Sequence, residues 1–328
     1  MLNIGLLGCG RIGRVHALSI AHLEDARVSA VSDAMPDAAK AVASQTGATV
    51  MDSHALIESR DVDAVIIGTP TDTHFDLIHR AAAAGKAIFC EKPVDLSAER
   101  IETCLTAVAA AGVPFMVAFN RRFDPNFAHL HAQVRDGAVG DVELITILSR
   151  DPAPPPLDYI RSSGGIFRDM MIHDLDMARF LLAEEPVEVF ATGSCLVDPA
   201  IGAAGDVDTA AVTLRTATGK VCQISNSRRA AYGYDQRIEV HGSKGMARAE
   251  NVLENTVEVG TVAGFRRAPT MHFFLERYAE AYRRELSHFV EAVTGGRDPK
   301  PDGADGLRAQ RLADAAALSM TERRIVEI

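Results

Sequence analysis

Two residues that could move a proton, Asp169 and His173, stand four positions apart, a spacing that places both on one face of a helix. Histidine changes charge near neutral pH, so His173 suits the removal of a proton from an alcohol, while Asp169 could bind a substrate hydroxyl or tune the imidazole. Gly164 and Gly165 just before them would let the chain approach a ligand. The pair alone could equally be half of a metal site, or a helix N-terminal acid beside a structural histidine.

A lysine with possible chemistry, Lys92, follows the apolar segment Ala87–Cys90, which we predict to be the fifth strand. In an open parallel sheet, ligands bind beyond the carboxyl ends of the strands. There Lys92 could bind a reacting hydroxyl and help its proton to leave, although a surface lysine leading into the next helix fits the position as well. Pro93 after it could be cis, as about one X–Pro bond in twenty is.

The glycine-rich segment Gly8-Cys9-Gly10-Arg11-Ile12-Gly13 is a G-x-G-x-x-G turn between a predicted strand and a helical pattern. Gly8 permits the tight turn, Gly10 lets the backbone approach a pyrophosphate, and Gly13 lets helix and strand pack closely. The N–H groups at the helix N-terminus would bind the phosphates. Asp33, at the end of the next strand, would bind ribose hydroxyls and repel a 2′-phosphate. The pattern therefore predicts NAD rather than NADP as cofactor.

Other candidate residues lie near predicted strand ends and could line the cofactor or substrate cleft. They are Thr69, Pro70 and His74 after the fourth strand, Glu91 beside Lys92, Asn120 and Arg121 after the sixth strand, and Tyr232 before a later strand. Arg121 could instead form an interdomain ion pair, and Tyr232 could be a strand-edge aromatic. The chain has no H-E-x-x-H motif, no tight Cys/His set and no G-x-S-x-G elbow, so we predict neither a metal site nor a serine hydrolase.

Strand and helix patterns alternate up to residue 120, which predicts an α/β domain with a doubly wound parallel sheet. From residue 121 to 328 the pattern changes, and several strands follow one another without helices between them. This predicts an α+β domain with a large, open, mostly antiparallel sheet. Its predicted strands include 142–149, 187–193, 207–215, 221–226, 237–241 and 256–259. Because an open sheet must cover its second face, we also expect a homo-oligomer.

The composition restricts the class of partner. The chain has 328 residues, 47% of them hydrophobic and 24% charged, with a formal net charge of −10. This balance fits a globular protein and disfavours nucleic acid or an anionic membrane as partner. We expect no membrane span and no signal peptide, because the N-terminus enters the first strand directly. The five cysteines are scattered, which suggests free thiols in a reducing cytoplasm.

Together these motifs resemble the Gfo/Idh/MocA oxidoreductase family over nearly the whole chain. The glycine-rich turn, Thr69-Pro70 with His74, Glu91-Lys92-Pro93, and Gly164-Gly165 with Asp169 and His173 occur in the family's order. Three further segments are most similar to those of members that oxidise myo-inositol at C2. These are residues 120–125, the proline-rich residues 150–156 and residues 231–237.

The resemblance implies a role for each candidate residue and for the assembly. His173 would be the general base, Lys92 would bind and position the reacting oxygen, and Asp169 would hold the substrate. NAD⁺ would accept the hydride, and the protein would be a homotetramer. Two alternatives are oxidation of another polyol or sugar, such as scyllo-inositol or D-glucose, and a non-catalytic NAD-sensing regulator. The complete set of Lys92, Asp169 and His173 favours an enzyme over a sensor.

Overall fold

The computed structural model describes all residues from 1 to 328 and divides them into two compact units. The first unit contains Met1–Phe123 and Glu280–Gln310, and the second contains Asp124–Ala279 and Arg311–Ile328. No helix is both long and apolar enough to cross a membrane.

The first unit is built on a six-stranded parallel sheet with the strand order β3-β2-β1-β4-β5-β6. Its strands are β1 (Leu2–Leu7), β2 (Ala26–Ser32), β3 (Thr49–Val50), β4 (Ala64–Ile67), β5 (Ala87–Cys90) and β6 (Phe115–Val117). The strand order reverses between β1 and β4, and in such sheets the crevice at that point binds the ligand. All four residues of β4 are buried, as expected for a strand covered on both faces. The predicted doubly wound sheet is confirmed.

Five helices connect these strands, in the alternation that the sequence predicts. They are α1 (Arg11–Ile20), α2 (Pro36–Thr46), α3 (Ser53–Glu58), α4 (His74–Ala83) and α5 (Ala98–Ala111). The ends of α5 follow from local chemistry, since the Ser97 hydroxyl accepts a hydrogen bond from the N–H of Arg100 and Gly112 adopts a left-handed conformation after the last turn. A 3-10 turn at Asn120–Phe123 ends this part of the chain.

The second unit contains a seven-stranded sheet with the order β12-β11-β7-β10-β9-β8-β15. Its strands are β7 (Val142–Arg150), β8 (Pro186–Ser194), β9 (Thr209–Thr216), β10 (Val221–Ser227), β11 (Asp235–Gly242), β12 (Gly245–Ala249) and β15 (Val326–Glu327). Every neighbouring pair is antiparallel except β7 with β10. The predicted mostly antiparallel sheet is therefore confirmed.

Six helices and a hairpin accompany this sheet along the chain. They are α6 (Pro125–Arg135), α7 (Leu157–Ser162), α8 (Gly165–Asp169), α9 (Ile172–Leu182), α10 (Pro199–Ala203) and α11 (Phe274–Arg277), with the hairpin strands β13 (Glu258–Thr261) and β14 (Gly264–Arg267). The segment 256–259, predicted to belong to the large sheet, instead contributes to this separate two-stranded hairpin. β12 was not predicted because Gly245-Met246-Ala247-Arg248-Ala249 contains no β-branched residue.

Two long helices, α12 (Ala279–Thr294) and α13 (Gly303–Glu322), precede β15. The apolar face of α12 joins the core of the first unit, where Leu286, Phe289 and Val290 pack with residues of the parallel sheet. The rings of Phe89 and Phe289 lie 5.5 Å apart, edge to face. The two units of the structure therefore differ from the two domains predicted with a boundary after residue 120, because residues 280–310, far along the chain, complete the first core.

Candidate active site

The glycine-rich turn has the geometry that dinucleotide binding requires. Gly8 has φ of +93°, and a Cβ there would lie 2.5 Å from the carbonyl oxygen of Gly68. A Cβ on Gly13 would lie 2.0 Å from the carbonyl oxygen of Gly8, so only glycine allows α1 to pack this closely. A Cβ on Gly10 would meet nothing within 4 Å. The backbone at Gly10 therefore borders open space at the N-terminus of α1, which fits a pyrophosphate.

Asp33 follows β2 and lies beside the same turn. Its Oδ2 accepts a hydrogen bond from the N–H of Cys9 at 2.6 Å, and its Oδ1 accepts one from the N–H of Met35 at 2.7 Å. A carboxylate has about four acceptor positions, so lone pairs are left for ribose hydroxyls. Burial and the nearby Asp33 raise the pKa of the Cys9 thiol to about 11, which keeps that side chain neutral. Of these two side chains beside the turn, Asp33 is therefore the one that can bind ribose hydroxyls as a carboxylate.

Arg11 and Ile12 form the first turn of α1. Arg11 is exposed, while Ile12 is partly buried and its Cγ2 faces Gly68 at the end of β4. Ile12 therefore helps to hold α1 against the end of β4, and Arg11 lies where it could reach a phosphate. Both stay predictions as cofactor contacts.

His74 links two of the predicted cofactor-binding segments. It is buried, with Nε2 3.0 Å from the carbonyl oxygen of Thr69 and Nδ1 3.0 Å from that of Pro93. Burial lowers the pKa of His74, although these hydrogen bonds oppose the shift. A neutral imidazole can donate to one of the two carbonyls. His74 therefore fixes the turn that contains Thr69 and Pro70 against the turn that contains Lys92.

Glu91 and Lys92 follow directly after β5, at the carboxyl edge of the parallel sheet. Oε1 of Glu91 lies 2.7 Å from Nε2 of His16, and Oε2 accepts a 3.3 Å hydrogen bond from the N–H of Lys92. Lys92 is half-buried, and its peptide bond to Pro93 is cis. Lys92 is thus attached to a segment that is held on both sides, by His16 and by His74.

Asn120 and Arg121 lie in the 3-10 turn after β6, as the sequence placed them. Both are buried, with exposed fractions of 3% and 5%. The neighbouring Arg122 pairs with Asp305 at 3.2 Å. Burial of a guanidinium so close to the sheet edge fits a residue with a specific polar partner rather than a solvated surface charge.

Asp169 and His173 do not share one helix, so the common face that their spacing would give on a helix is not formed. Asp169 is the last residue of α8 and His173 is the second residue of α9, with a turn at Met170 and Met171 between them. The N–H groups of both methionines bond to the carbonyl of Ile166, which closes α8 before α9 begins. The i, i+4 spacing therefore describes two helix ends that meet at a turn.

Tyr159 and Arg228 contact Asp169, and Arg228 also contacts Asp206; neither Arg228 nor Asp206 was assigned to the site from the sequence. The Tyr159 hydroxyl donates to Oδ1 of Asp169 at 2.8 Å, and Nη1 of Arg228 lies 3.4 Å from its Oδ2. Nη2 of Arg228 lies 3.5 Å from Asp206. Arg228 is 1% exposed, so a buried cation sits between two carboxylates. In the sequence, the feature that could have pointed to Arg228 is the pair of charged residues Arg228-Arg229 directly after the alternating pattern of β10.

Asp206 also explains the conformation of the glycines before Asp169. Gly164 and Gly165 have φ of +84° and +83°, and a Cβ on Gly165 would lie 2.8 Å from Oδ1 of Asp206. The same oxygen accepts a hydrogen bond from the N–H of Ile166 at 3.0 Å. Gly165 therefore allows a close approach of the backbone to Asp206, and an approach of this segment to a ligand stays a prediction.

Asp174, the residue after His173, anchors the first turn of α9. Asp174 is fully buried, and its Oδ2 accepts a 2.7 Å hydrogen bond from Nδ2 of Asn226 in β10. Because Asp174 and His173 are adjacent, this bond orients the first turn of α9 and leaves the partly buried His173 on another side of the helix.

Tyr232 is exposed, and its hydroxyl already has protein partners. It donates to Oδ2 of Asp235 at 2.6 Å and accepts from Nη1 of Arg150 at 3.0 Å. Burial alone would raise the pKa of Asp235, but hydrogen bonds from Arg237, Tyr232 and Asn251 outweigh it and the net shift is downward. Contact between Tyr232 and a polyol stays a prediction. No group of three or more His, Cys, Asp or Glu residues is arranged to hold a metal ion.

Comparison with known proteins connects both units to one family. The model of an oxidoreductase family with an NAD-binding Rossmann fold matches residues 2–119, and the model of the GFO/IDH/MocA C-terminal domain matches residues 127–248.

Similar proteins match over the full length of the chain. It is 55% identical over 327 residues to inositol 2-dehydrogenase of Rhizobium meliloti (strain 1021), covering 100% of this chain and 99% of that protein. It is 47% identical over 329 residues to myo-inositol 2-dehydrogenase of Thermotoga maritima, covering 100% and 98%. The crystal structure of scyllo-inositol dehydrogenase from Lactobacillus casei with bound NAD(H) and scyllo-inositol is 32% identical, with a TM-score of 0.93 and coverage of 100% and 99%. Residues 2–119 form an NAD-binding Rossmann domain, and the chain therefore belongs to the Gfo/Idh/MocA family of oxidoreductases.

Proposed function

We propose that this protein oxidises myo-inositol at C2, with NAD⁺ as the hydride acceptor, and releases scyllo-inosose (2-keto-myo-inositol). The observation that carries the proposal is full-length similarity, at 55% and 47% identity, to two proteins named inositol 2-dehydrogenases. The presence of Lys92, Asp169 and His173 supports it, because they supply a hydrogen-bond donor, a carboxylate and a base for the oxidation of an alcohol.

The residues of the glycine-rich turn fit NAD. Open space beside Gly10 and the N-terminus of α1 suit the pyrophosphate, and Asp33 suits the adenosine ribose. No base follows Asp33, since Ala34 and Met35 come next, so a 2′-phosphate would meet a carboxylate without a compensating cation. When bound, NAD⁺ supplies the acceptor for the hydride at C4 of its nicotinamide ring.

The residues of the chain handle the proton and the oxygen. His173 takes the proton of the C2 hydroxyl, so that the oxygen can form the ketone while the hydride leaves C2. The Lys92 ammonium donates a hydrogen bond to the same oxygen and stabilises the negative charge that develops on it. Asp169, held by Tyr159 and Arg228, accepts a hydrogen bond from a neighbouring substrate hydroxyl. Asn120, Arg121 and Tyr232 are proposed to bind the remaining hydroxyls.

A second candidate substrate is scyllo-inositol, favoured by the similarity to a structure that contains it. Epimers that differ at one hydroxyl are separated only by how well buried polar groups are paired in the pocket. The identity is 32% in that case and 55% or 47% for the relatives above, which favours myo-inositol.

The test is NADH formation by the purified protein with NAD⁺ and myo-inositol, scyllo-inositol, D-chiro-inositol or D-glucose. We expect myo-inositol to give the highest kcat/KM. Equal rates across the panel would indicate a broad polyol dehydrogenase, and no turnover despite NAD⁺ binding would favour the sensor.

Two variants test the assigned roles. Lys92→Ala and His173→Ala should each lower kcat by roughly 10²- to 10⁴-fold while NADH still binds. Lys40→Ala and His54→Ala, at exposed positions on the first unit, are the matched controls and should behave like the wild type. Wild-type turnover in either test variant would remove that residue from the mechanism.

We further propose that the protein acts in the cytoplasm as a homotetramer. All five cysteines are free thiols, four of them buried, which is typical of a reducing compartment. The large sheet of the second unit exposes apolar side chains, including Leu144, Phe190 and Met246, that a second copy would cover.

A further inference from the structure

A buried histidine on the helix after the glycine-rich turn reaches the segment that carries Lys92. His16 lies in α1 with no exposed surface, and its Nε2 is 2.7 Å from Oε1 of Glu91. An ionised carboxylate only accepts hydrogen bonds, so Nε2 of His16 carries the donated proton. The other ring nitrogen, Nδ1, is buried without a hydrogen-bond partner. The hydrogen bonding of His16 is therefore directed at Glu91.

Glu91 connects His16 to Lys92, because each of its carboxylate oxygens contacts one of the two residues. While Oε1 faces His16, Oε2 accepts a hydrogen bond from the backbone N–H of Lys92 at 3.3 Å. The carboxyl side chain is 13% exposed, so water competes little for either oxygen. A continuous set of contacts thus runs from α1 through His16 and Glu91 to the backbone of Lys92.

Aromatic neighbours fix the orientation of the imidazole. The ring of His16 packs edge to face against Phe89, with centroids 5.3 Å apart, and against Tyr282, with centroids 6.0 Å apart. Phe89 lies in β5, two residues before Glu91, so the same strand supplies the packing surface and the hydrogen-bond acceptor. The ring cannot turn away from Glu91 without disturbing the core around β5.

A purely structural role does not account for this arrangement. A buried nitrogen without a partner costs stability, and an aromatic residue such as phenylalanine would fill the space between Phe89 and Tyr282 without that cost. We propose that His16 is a positioning residue for Lys92. Through Glu91 it holds the Lys92 backbone in a fixed place relative to the helix whose N-terminus binds the cofactor's pyrophosphate. The proposal rests on the function proposed above, in which Lys92 binds the reacting oxygen.

The expected consequence is a loss in kcat rather than in binding. A displacement of about 1 Å in a positioning element can lower the rate by about 10²-fold. The proposed pyrophosphate site lies at Gly10, at the N-terminus of α1, and does not depend on a hydrogen bond from His16. Loss of the His16 contact should therefore change kcat while the NAD⁺ dissociation constant stays the same.

The test compares four variants in steady-state kinetics with myo-inositol, NAD⁺ titration and thermal unfolding. His16→Phe keeps an aromatic ring but removes the donor, and should lower kcat roughly 10- to 100-fold with an NAD⁺ dissociation constant within about 2-fold of wild type. His16→Gln can still donate to Glu91 and should recover most of that loss. His22→Phe places the same substitution at an exposed histidine and should have no effect. Glu91→Gln should resemble His16→Phe.

A double variant separates positioning from general loss of structure. If His16 acts through Glu91, adding His16→Phe to Glu91→Gln should lower kcat by less than about 2-fold further. Additive losses, or equal damage by His16→Phe and His16→Gln, would overturn the proposal. A wild-type kcat in His16→Phe would also overturn it. If the His16 variants fail to fold, a wild-type kcat in Glu91→Gln would overturn it instead.

Lys92→Ala separates this proposal from the proposed function. If Lys92→Ala abolishes turnover and His16→Phe does not lower it, the function stands and the role of His16 is refuted. If the protein oxidises no inositol at all, the proposed function fails and the role of His16 in it fails as well.

Discussion

The carboxylate of Asp169 is held from two sides, which sets its direction before a substrate arrives. Tyr159 donates to one oxygen at 2.8 Å, and the buried Arg228 faces the other. These two residues lie on α7 and directly after β10, so the aspartate at the end of α8 has support from outside its own helix. An aspartate held in this way can accept a hydrogen bond from one substrate hydroxyl without first reorienting.

Removal of the tyrosine hydroxyl tests that support. A hydrogen bond to a charged group contributes about 1.5–3 kcal/mol, so Tyr159→Phe should lower kcat/KM for myo-inositol by roughly 10- to 100-fold. The NAD⁺ dissociation constant, measured by titration, should not change, because the glycine-rich turn belongs to the other unit. An unaltered kcat/KM would show that the Tyr159 hydroxyl is not needed to hold Asp169.

Asp33 is the residue that we expect to select NAD over NADP. Asp33→Ala removes both the acceptor for the ribose hydroxyls and the charge that repels a 2′-phosphate, so NAD⁺ affinity should fall about 10- to 100-fold and NADP⁺ should gain relative to it. Titrations of both cofactors measure the change. Asp37→Ala, at a fully exposed carboxylate in α2, is the control. An unchanged preference would mean that another residue selects the cofactor.

At the scale of elements, Gly10 and Gly13 of the same turn have different roles, and substitution by alanine at each position distinguishes them. A Cβ at Gly13 would lie 2.0 Å from the carbonyl of Gly8, whereas a Cβ at Gly10 meets open space with a φ of −70° that alanine adopts readily. Gly13→Ala should therefore lower the thermal midpoint and the NAD⁺ affinity together. Gly10→Ala should keep the wild-type midpoint and weaken NAD⁺ binding alone. Equal midpoints in both variants would contradict this division.

The sequence predicted these elements well because their signals are local. The glycine spacing and the apolar runs of the parallel strands lie within a few residues of the features that they determine. Asp169 and His173 lie on two helices because hydrogen bonds from Met170 and Met171 to the carbonyl of Ile166 close α8 at Asp169, which the periodicity of the segment does not reveal. The pattern gave equally little sign that α12 completes the first core.

The histidine that begins α4 predicts a pH dependence of stability. Burial lowers the pKa of His74 from its usual 6.5, and burial does the same to His288 in α12. Below about pH 6.5 the unfolded chain takes up protons at these positions more readily than the folded one. The unfolding free energy should therefore be constant just above that pH, and should fall as the pH drops from there towards the folded pKa values.

Urea unfolding between about pH 5 and pH 7.5 measures this effect. His74→Gln should show a shallower loss of stability on acidification than the wild type. Asp208, whose pKa is lowered to about 2 by net hydrogen bonding despite its burial, loses its contribution only at much lower pH and does not interfere. A wild-type unfolding free energy that stays constant throughout this range would refute the prediction.

At the scale of the whole molecule, the exposed face of the seven-stranded sheet predicts self-association. Leu144 in β7 lies between His241 and Val221 of the neighbouring strands, and Met246 lies beyond His241. The exposed Met246, His241 and Leu144 therefore form one row across the sheet with the half-buried Val221. Burial of such a row against another copy would stabilise an oligomer.

Sedimentation should show a species of about four times 35.1 kDa for the wild type. Leu144→Asp with Phe190→Asp should shift it towards the monomer, because each copy would then bury a carboxylate in the interface. A matched double variant, Glu143→Asp with Glu188→Asp, preserves the charge and should leave the assembly intact. A wild-type monomer at all concentrations would refute association through this face.

The sequence alone was sufficient for the parallel sheet, the dinucleotide turn, the choice of NAD and the family, because each depends on residue types within a short stretch of chain. It was not sufficient for the partners of the reacting groups. Arg228 reaches Asp169 across 59 positions, and His16 reaches Glu91 across 75. Such contacts form only when separate strands and helices pack into one core, and their donors carry no periodicity or spacing that marks them beforehand. Folding therefore determines which charged and polar groups support the residues that the motifs identify.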